Sequence, residues 1–149
     1  MGGPAAAVRA EMARKAQRVW RLATPRRKSP VVPEGEREAI ILACERFVRE
    51  VLKPCFLPRV VPTEWNYPVD IRGAWHGGRY RFIQRFRSDR PGSIVPEFDA
   101  PFARIEWVSP GLFDVAYHRH TGEWCTIFHG VPLEEALRLI ESETVLNPV

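Results

Sequence analysis

With 149 residues, 45% of them hydrophobic, and a net charge of +4, the chain is the size of one ordinary domain and has enough apolar content to bury a core. No stretch approaches the roughly 20 uncharged residues of a membrane-spanning helix. The three cysteines, Cys44, Cys55 and Cys125, have no CxxC spacing, which argues against a disulfide framework or zinc ribbon and for free thiols in a reducing cytoplasm.

The charge is unevenly divided. Residues 1–30 hold eight cations, Arg9, Arg14, Lys15, Arg18, Arg21, Arg26, Arg27 and Lys28, against the single acid Glu11, whereas residues 31–149 hold 14 basic and 17 acidic residues. The basic character therefore belongs to an N-terminal arm, a distribution that fits contact with a polyanion and equally fits a solvated arm. Arg9 and Glu11 interrupt the apolar start, so no secretory signal is expected.

Residues 5–22 read as a helix with Val8, Met12, Ala16, Val19 and Trp20 on one stripe and Arg9, Arg14, Lys15, Arg18 and Arg21 around it. Such a basic amphipathic segment can pack on the domain, lie on nucleic acid or a membrane surface, dock on a protein partner, or serve as an organelle targeting segment. A proline-punctuated basic linker follows, from Thr24 to Pro33. Residues 1–33 thus form an arm and linker, and residues 34–149 a single domain.

From Glu36 to Lys53, Ile40, Ile41, Cys44, Phe47, Val48, Val51 and Leu52 recur at helical spacing, and Pro54 is expected to stop the helix. Strands come next. Val69–His76 alternates, Gly77-Gly78 forms a two-residue turn, and Arg79–Arg87 returns antiparallel, so that Trp75 faces Tyr80 and Asp70 faces Arg85. A loop rich in Pro and Gly is expected from Ser88 to Pro101, then a strand from Phe102 to Val108. A second hairpin runs from Leu112 to His120 and from Glu123 to His129, closed at Thr121-Gly122. Pro132 opens a last helix with Leu133, Ala136, Leu137 and Ile140 on its buried stripe. The order predicts an α+β domain, its antiparallel sheet of about five strands built from two hairpins and flanked by an N-terminal and a C-terminal helix.

Strand 79–87 puts arginines and aromatics on opposite parity. Arg72, Arg79, Arg81, Arg85 and Arg87 should leave one sheet face, and Trp75, Tyr80, Phe82 and Phe86 the other. Arginine forks suit phosphates and carboxylates, so the face is a candidate nucleic-acid surface. The plainer and preferred reading is a solvated sheet face with cross-strand partners in Asp70, Glu106 or Asp114. In the last hairpin a Thr121-Gly122 turn would set His118 opposite Cys125 with His120 nearby. Polar side chains scattered over an exposed sheet face are the preferred reading; zinc, or a thiol nucleophile with a His base, is the alternative, although no metal-motif spacing supports it. No cofactor is otherwise expected, and no hydrolase, nucleotide-binding or dinucleotide motif is present.

A helix carrying Cys44-Glu45-Arg46-Phe47, an aromatic-and-arginine strand, Pro101-Phe102-Ala103-Arg104-Ile105, an aromatic strand leading to Gly122-Glu123-Trp124, and a leucine-rich closing helix occur in this order. In these segments, over roughly residues 38–141, the chain resembles DUF3024, a bacterial family of domains of unknown function. Cys125 departs from the resemblance, because the family more often places an aromatic or basic residue after that turn. The resemblance implies a small bacterial cytoplasmic domain and no activity or catalytic residues. The leading expectation is therefore a non-enzymatic binding module that meets DNA or RNA phosphates through the arm and the arginine face. The main rival is a protein-interaction or structural module using residues 5–22.

Overall fold

Two acids, Glu34 and Glu36, occupy the first turn of the opening helix, where they complement its dipole. The structure, a computed structural model, describes residues 31–149 apart from Val95. The expected helix at 5–22 and the cations of residues 1–30 lie outside the described residues.

Helix α1 spans Glu34–Phe47 and buries Ile40, Cys44 and Phe47. It does not stop at Pro54. A π-helical turn, Val48–Leu52, follows without a break and leads into α2, Lys53–Phe56, with Pro54 in its first turn. The Lys53 N–H reaches back five residues to the Val48 carbonyl. Widening the turn in this way makes room for a proline ring that would otherwise collide with the carbonyl four residues earlier. Leu57, which precedes Pro58, leaves the helical region and ends the run.

The sheet is an antiparallel meander in the order β1-β2-β3-β4-β5. Its strands are β1 Tyr67–His76, β2 Arg79–Arg87, β3 Glu97–Ser109, β4 Leu112–His118 and β5 Trp124–Val131. Helix α3, Leu133–Ser142, packs on the same face as α1 and buries Ala136, Leu139 and Ile140, with Leu133 and Leu137 half-buried. The domain is therefore α+β with one sheet face covered by helices. Among the described residues no helix is long and apolar enough to cross a membrane.

The covered face is the core. Tyr80, Phe82, Ile105, Phe113 and Val115 are buried there against Cys44, Leu52 and Ile140, each large apolar side chain contributing roughly 1.5–3 kcal/mol by leaving water. The Phe82 ring meets Phe47, Tyr80 and Phe102 at centroid distances of 6.0, 5.0 and 6.4 Å. The Tyr80 ring lies across Gly73, where a Cβ would sit 2.2 Å from the ring, so the strand accepts only glycine there. Glu36 ties α1 to the sheet, accepting from Trp107 Nε1 at 2.8 Å and from the Gly111 N–H at 3.0 Å.

The first hairpin follows the expected register. Trp75 pairs with Tyr80 and Asp70 with Arg85, and both turn glycines have positive φ, 59° and 78°, as a tight primed turn requires. Two other expectations fail. β3 begins at Glu97, not Phe102, so the last five residues of the expected loop are strand paired with Ile83–Arg87. The last turn holds three residues, His120-Thr121-Gly122, between Arg119 and Glu123, whose backbones hydrogen-bond at 2.8 Å. That slips the register by one and places Cys125 opposite Tyr117 and His118 opposite Trp124.

Candidate anion-binding face

One sheet face carries no helix among the described residues, and β2 delivers Arg79, Arg81, Ile83, Arg85 and Arg87 to it by simple alternation. Its neighbours on β1 are Arg72, Ala74 and His76, which pair with Ile83, Arg81 and Arg79. The expected separation of arginines from Tyr80 and Phe82 holds.

What β3 places beside these arginines depends on one residue. From Arg79↔Glu106 to Phe82↔Ala103 the pairing is regular. Phe102 is then an extra residue, and pairing resumes one step displaced at Ile83↔Pro101. Phe102 turns into the core, where it is 6% exposed. Pro101, lacking an N–H, sits beside a bulge, which is where a strand tolerates proline. The displacement sets Asp99 opposite Arg85 and Glu97 opposite Arg87. An unbroken ladder would have offered those arginines Ala100 and Phe98 instead, because a slip of one residue exchanges the faces.

The bulge thus divides the cationic face in two. At the far end of β2, Arg72 reaches Asp99 at 2.6 Å, Arg85 reaches Glu97 at 2.8 Å and Asp99 at 3.6 Å, and Arg87 reaches Glu97 at 2.8 Å. Hydrogen bonds from Arg87 and then Arg85 hold the Glu97 carboxyl below its ordinary range, and the bonds to Glu97 raise both arginines in return. Asp70 is engaged by Lys53 at 3.0 Å. For Arg72, Arg85 and Arg87 the cross-strand pairing expected of a solvated face is present, with Glu97 and Asp99 as the main partners.

Near the β1–β2 turn the pattern changes. Arg79 has Glu106 at 3.4 Å, but Arg81 stands directly opposite Arg104 and neither makes an ion pair with a described residue. Asp114, across from Glu106, is turned toward β5, accepting from the Gly130 N–H at 3.0 Å and lying 3.5 Å from His129 Nδ1. The Nε atoms of Arg79, Arg81 and Arg104 are all shielded from water without a hydrogen-bond partner. Burial, followed by the charge of Arg79, lowers the pKa of Arg104; Glu106 opposes this and Arg81 adds to it. The Arg104 guanidinium stacks 4.6 Å over the Trp124 ring, whose edge meets His118 at 4.9 Å.

Arg104 and Trp124 are site residues that sequence reasoning left out. Both stand in segments expected to be strands, Phe102–Val108 and Glu123–His129, with no site role expected of either residue. Arg104 alternates with Ala103 and Ile105 as Arg81 alternates with its aromatic neighbours, so its parity was visible; its place opposite Arg81 needed the β2–β3 register. The zinc or thiol grouping is not assembled as expected. His118 lies on the open face, Cys125 pairs with Tyr117 on the helix side, and His120 is exposed at the turn. Among the described residues no group of three or more His, Cys, Asp or Glu side chains is placed to hold a metal ion.

Fold and face together define a two-layer α+β domain with an open, arginine-bearing sheet. Residues 32–145 match the family described as Domain of unknown function (DUF3024), and the chain belongs to that family. No curated protein and no solved structure matches it.

Proposed function

We propose that this chain is a nucleic-acid-binding module whose sheet contacts phosphates through Arg79, Arg81 and Arg104. The observation that carries this reading is the direct opposition of Arg81 and Arg104 without an acid between them. Like charges facing each other across a ladder oppose folding, and among the described neighbours only the charge of Glu106, which makes no ion pair with either, offsets that repulsion in part. A bound phosphate supplies the missing countercharge to two guanidinium forks at once. Arg72, Arg85 and Arg87, expected from sequence to share this role, already have carboxylates and take a structural one.

The eight cations of residues 1–30 add to the same electrostatic attraction. Val32, the second described residue, lies 3.9 Å from the position a Cβ would take on Gly78, one residue before Arg79. Val32 also packs against the core, so the arm joins the domain at the β1–β2 turn, the end of the sheet that carries Arg79, and one polyanion can meet arm and arginines.

The test is an anisotropy titration of the full chain against a labelled oligonucleotide. Affinity should fall about 10- to 50-fold between about 50 mM and 200 mM salt, as expected for a few phosphate contacts. Absence of binding at about 50 mM salt overturns the proposal.

A further inference from the structure

Resting on that reading, the geometry points to a single-stranded nucleic acid, DNA or RNA, as the ligand of this face, laid across the strands with a base stacked at the Arg104–Trp124 pair. One row of cross-strand partners on the open face runs Ala74, Arg81, Arg104, Ala116, Thr126. Its two arginines are flanked by three small side chains. His118 and Trp124 border it on one side; Arg79, Glu106 and Asp114 border it on the other, where both acids are engaged, Glu106 by Arg79 and Asp114 by His129 and the Gly130 N–H. The row runs perpendicular to the strands and spans four inter-strand gaps, or about 19 Å.

A cationic row beside an aromatic platform suits an extended strand and not a duplex. Reading a duplex by its base edges takes a helix or ribbon inserted into the major groove, and among the described residues no helix stands on this face. A single strand offers phosphates to a cationic track and exposed base faces to planar side chains. Arg104 over Trp124 at 4.6 Å is such a planar stack, with a guanidinium and an indole both able to receive a base. It stands toward the β5 end of the row, so phosphates at Arg81 and Arg104 and a base at Trp124 can belong to one short run of nucleotides.

The experiment titrates the full chain, at low salt, with labelled single-stranded RNA, single-stranded DNA of the same sequence, and their duplexes. It is repeated with Trp124→Leu and Arg81→Gln. Both single strands are expected to bind about tenfold or more tighter than either duplex. Trp124→Leu should weaken single-strand binding about tenfold and duplex binding much less, while Arg81→Gln weakens both to a similar extent. Duplex binding as tight as single-strand binding, or an equal effect of Trp124→Leu on both, overturns the inference while leaving the phosphate-binding reading standing. No binding by any probe overturns both. The comparison of probes needs only the natural chain, so it decides even if Trp124→Leu fails to fold.

Discussion

The two ends of the open face contain three arginines each and are built from the same strands, yet they are in opposite electrostatic condition. At one end every arginine touches a carboxylate: Arg72 has Asp99, Arg85 has Glu97 and Asp99, and Arg87 has Glu97. At the other, Arg79 has Glu106 while Arg81 and Arg104 face each other. The contrast lies in contacts and not in total charge, since Asp114 is close by but committed to His129 and Gly130. What separates the two is the extra residue Phe102, which resets β3 by one step. The same alternation of arginine and aromatic therefore gives a self-neutralised surface on one side of a bulge and an unsatisfied cationic one on the other.

The largest expected effect comes from removing that extra residue. Deleting Phe102 would join Ala103 to Pro101 and close the bulge while leaving Asp99 opposite Arg85 and Glu97 opposite Arg87, at a cost of about 3–5 kcal/mol or more from the lost aromatic packing alone. A urea melt should show a large fall in midpoint; an unchanged midpoint would mean that the Phe102 ring contributes little to the core.

A smaller effect, of opposite sign, should follow from unmasking the paired end. The double substitution Glu97→Gln and Asp99→Asn leaves Arg72, Arg85 and Arg87 without their carboxylates and so makes the two ends alike. Low-salt affinity for a labelled single-stranded oligonucleotide should rise, and the salt dependence should steepen by about 2 in log–log slope as the freed arginines acquire phosphates. Equal slopes for this variant and the natural chain would show that the ion pairs are not what keeps that end out of the footprint.

Much of this fold was legible because alternation and turn chemistry are local. Gly77-Gly78 fixed the β1–β2 register, and the parity of strand 79–87 correctly assigned Tyr80 and Phe82 to the core and the arginines to the open face. Registers set by bulges and longer turns were not legible. Pro96 and Pro101 read as loop punctuation, although Pro101 sits beside a bulge where its missing N–H does no harm, and the acids that pair with Arg85 and Arg87 are hidden in that segment. Thr121-Gly122 resembled a two-residue turn, whereas the turn closes around three residues with Gly122 at φ 89°. That single-residue error moved Cys125 to the wrong face and created an apparent His–Cys site. Pro54 was read as a stop because its conflict with a regular α-helix is real; the π-turn that resolves it depends on burying Val48 and Leu52, which is a tertiary matter.

A functional difference between the two ends is tested by comparing single charges from each. Salt-dependence slopes for single-stranded oligonucleotide binding would be determined for the natural chain, Arg81→Gln and Arg87→Gln. Arg81→Gln should lower the magnitude of the slope by about 0.7, one phosphate contact, while Arg87→Gln leaves it unchanged. Equal reductions for both substitutions, or a larger one for Arg87→Gln, would contradict that difference.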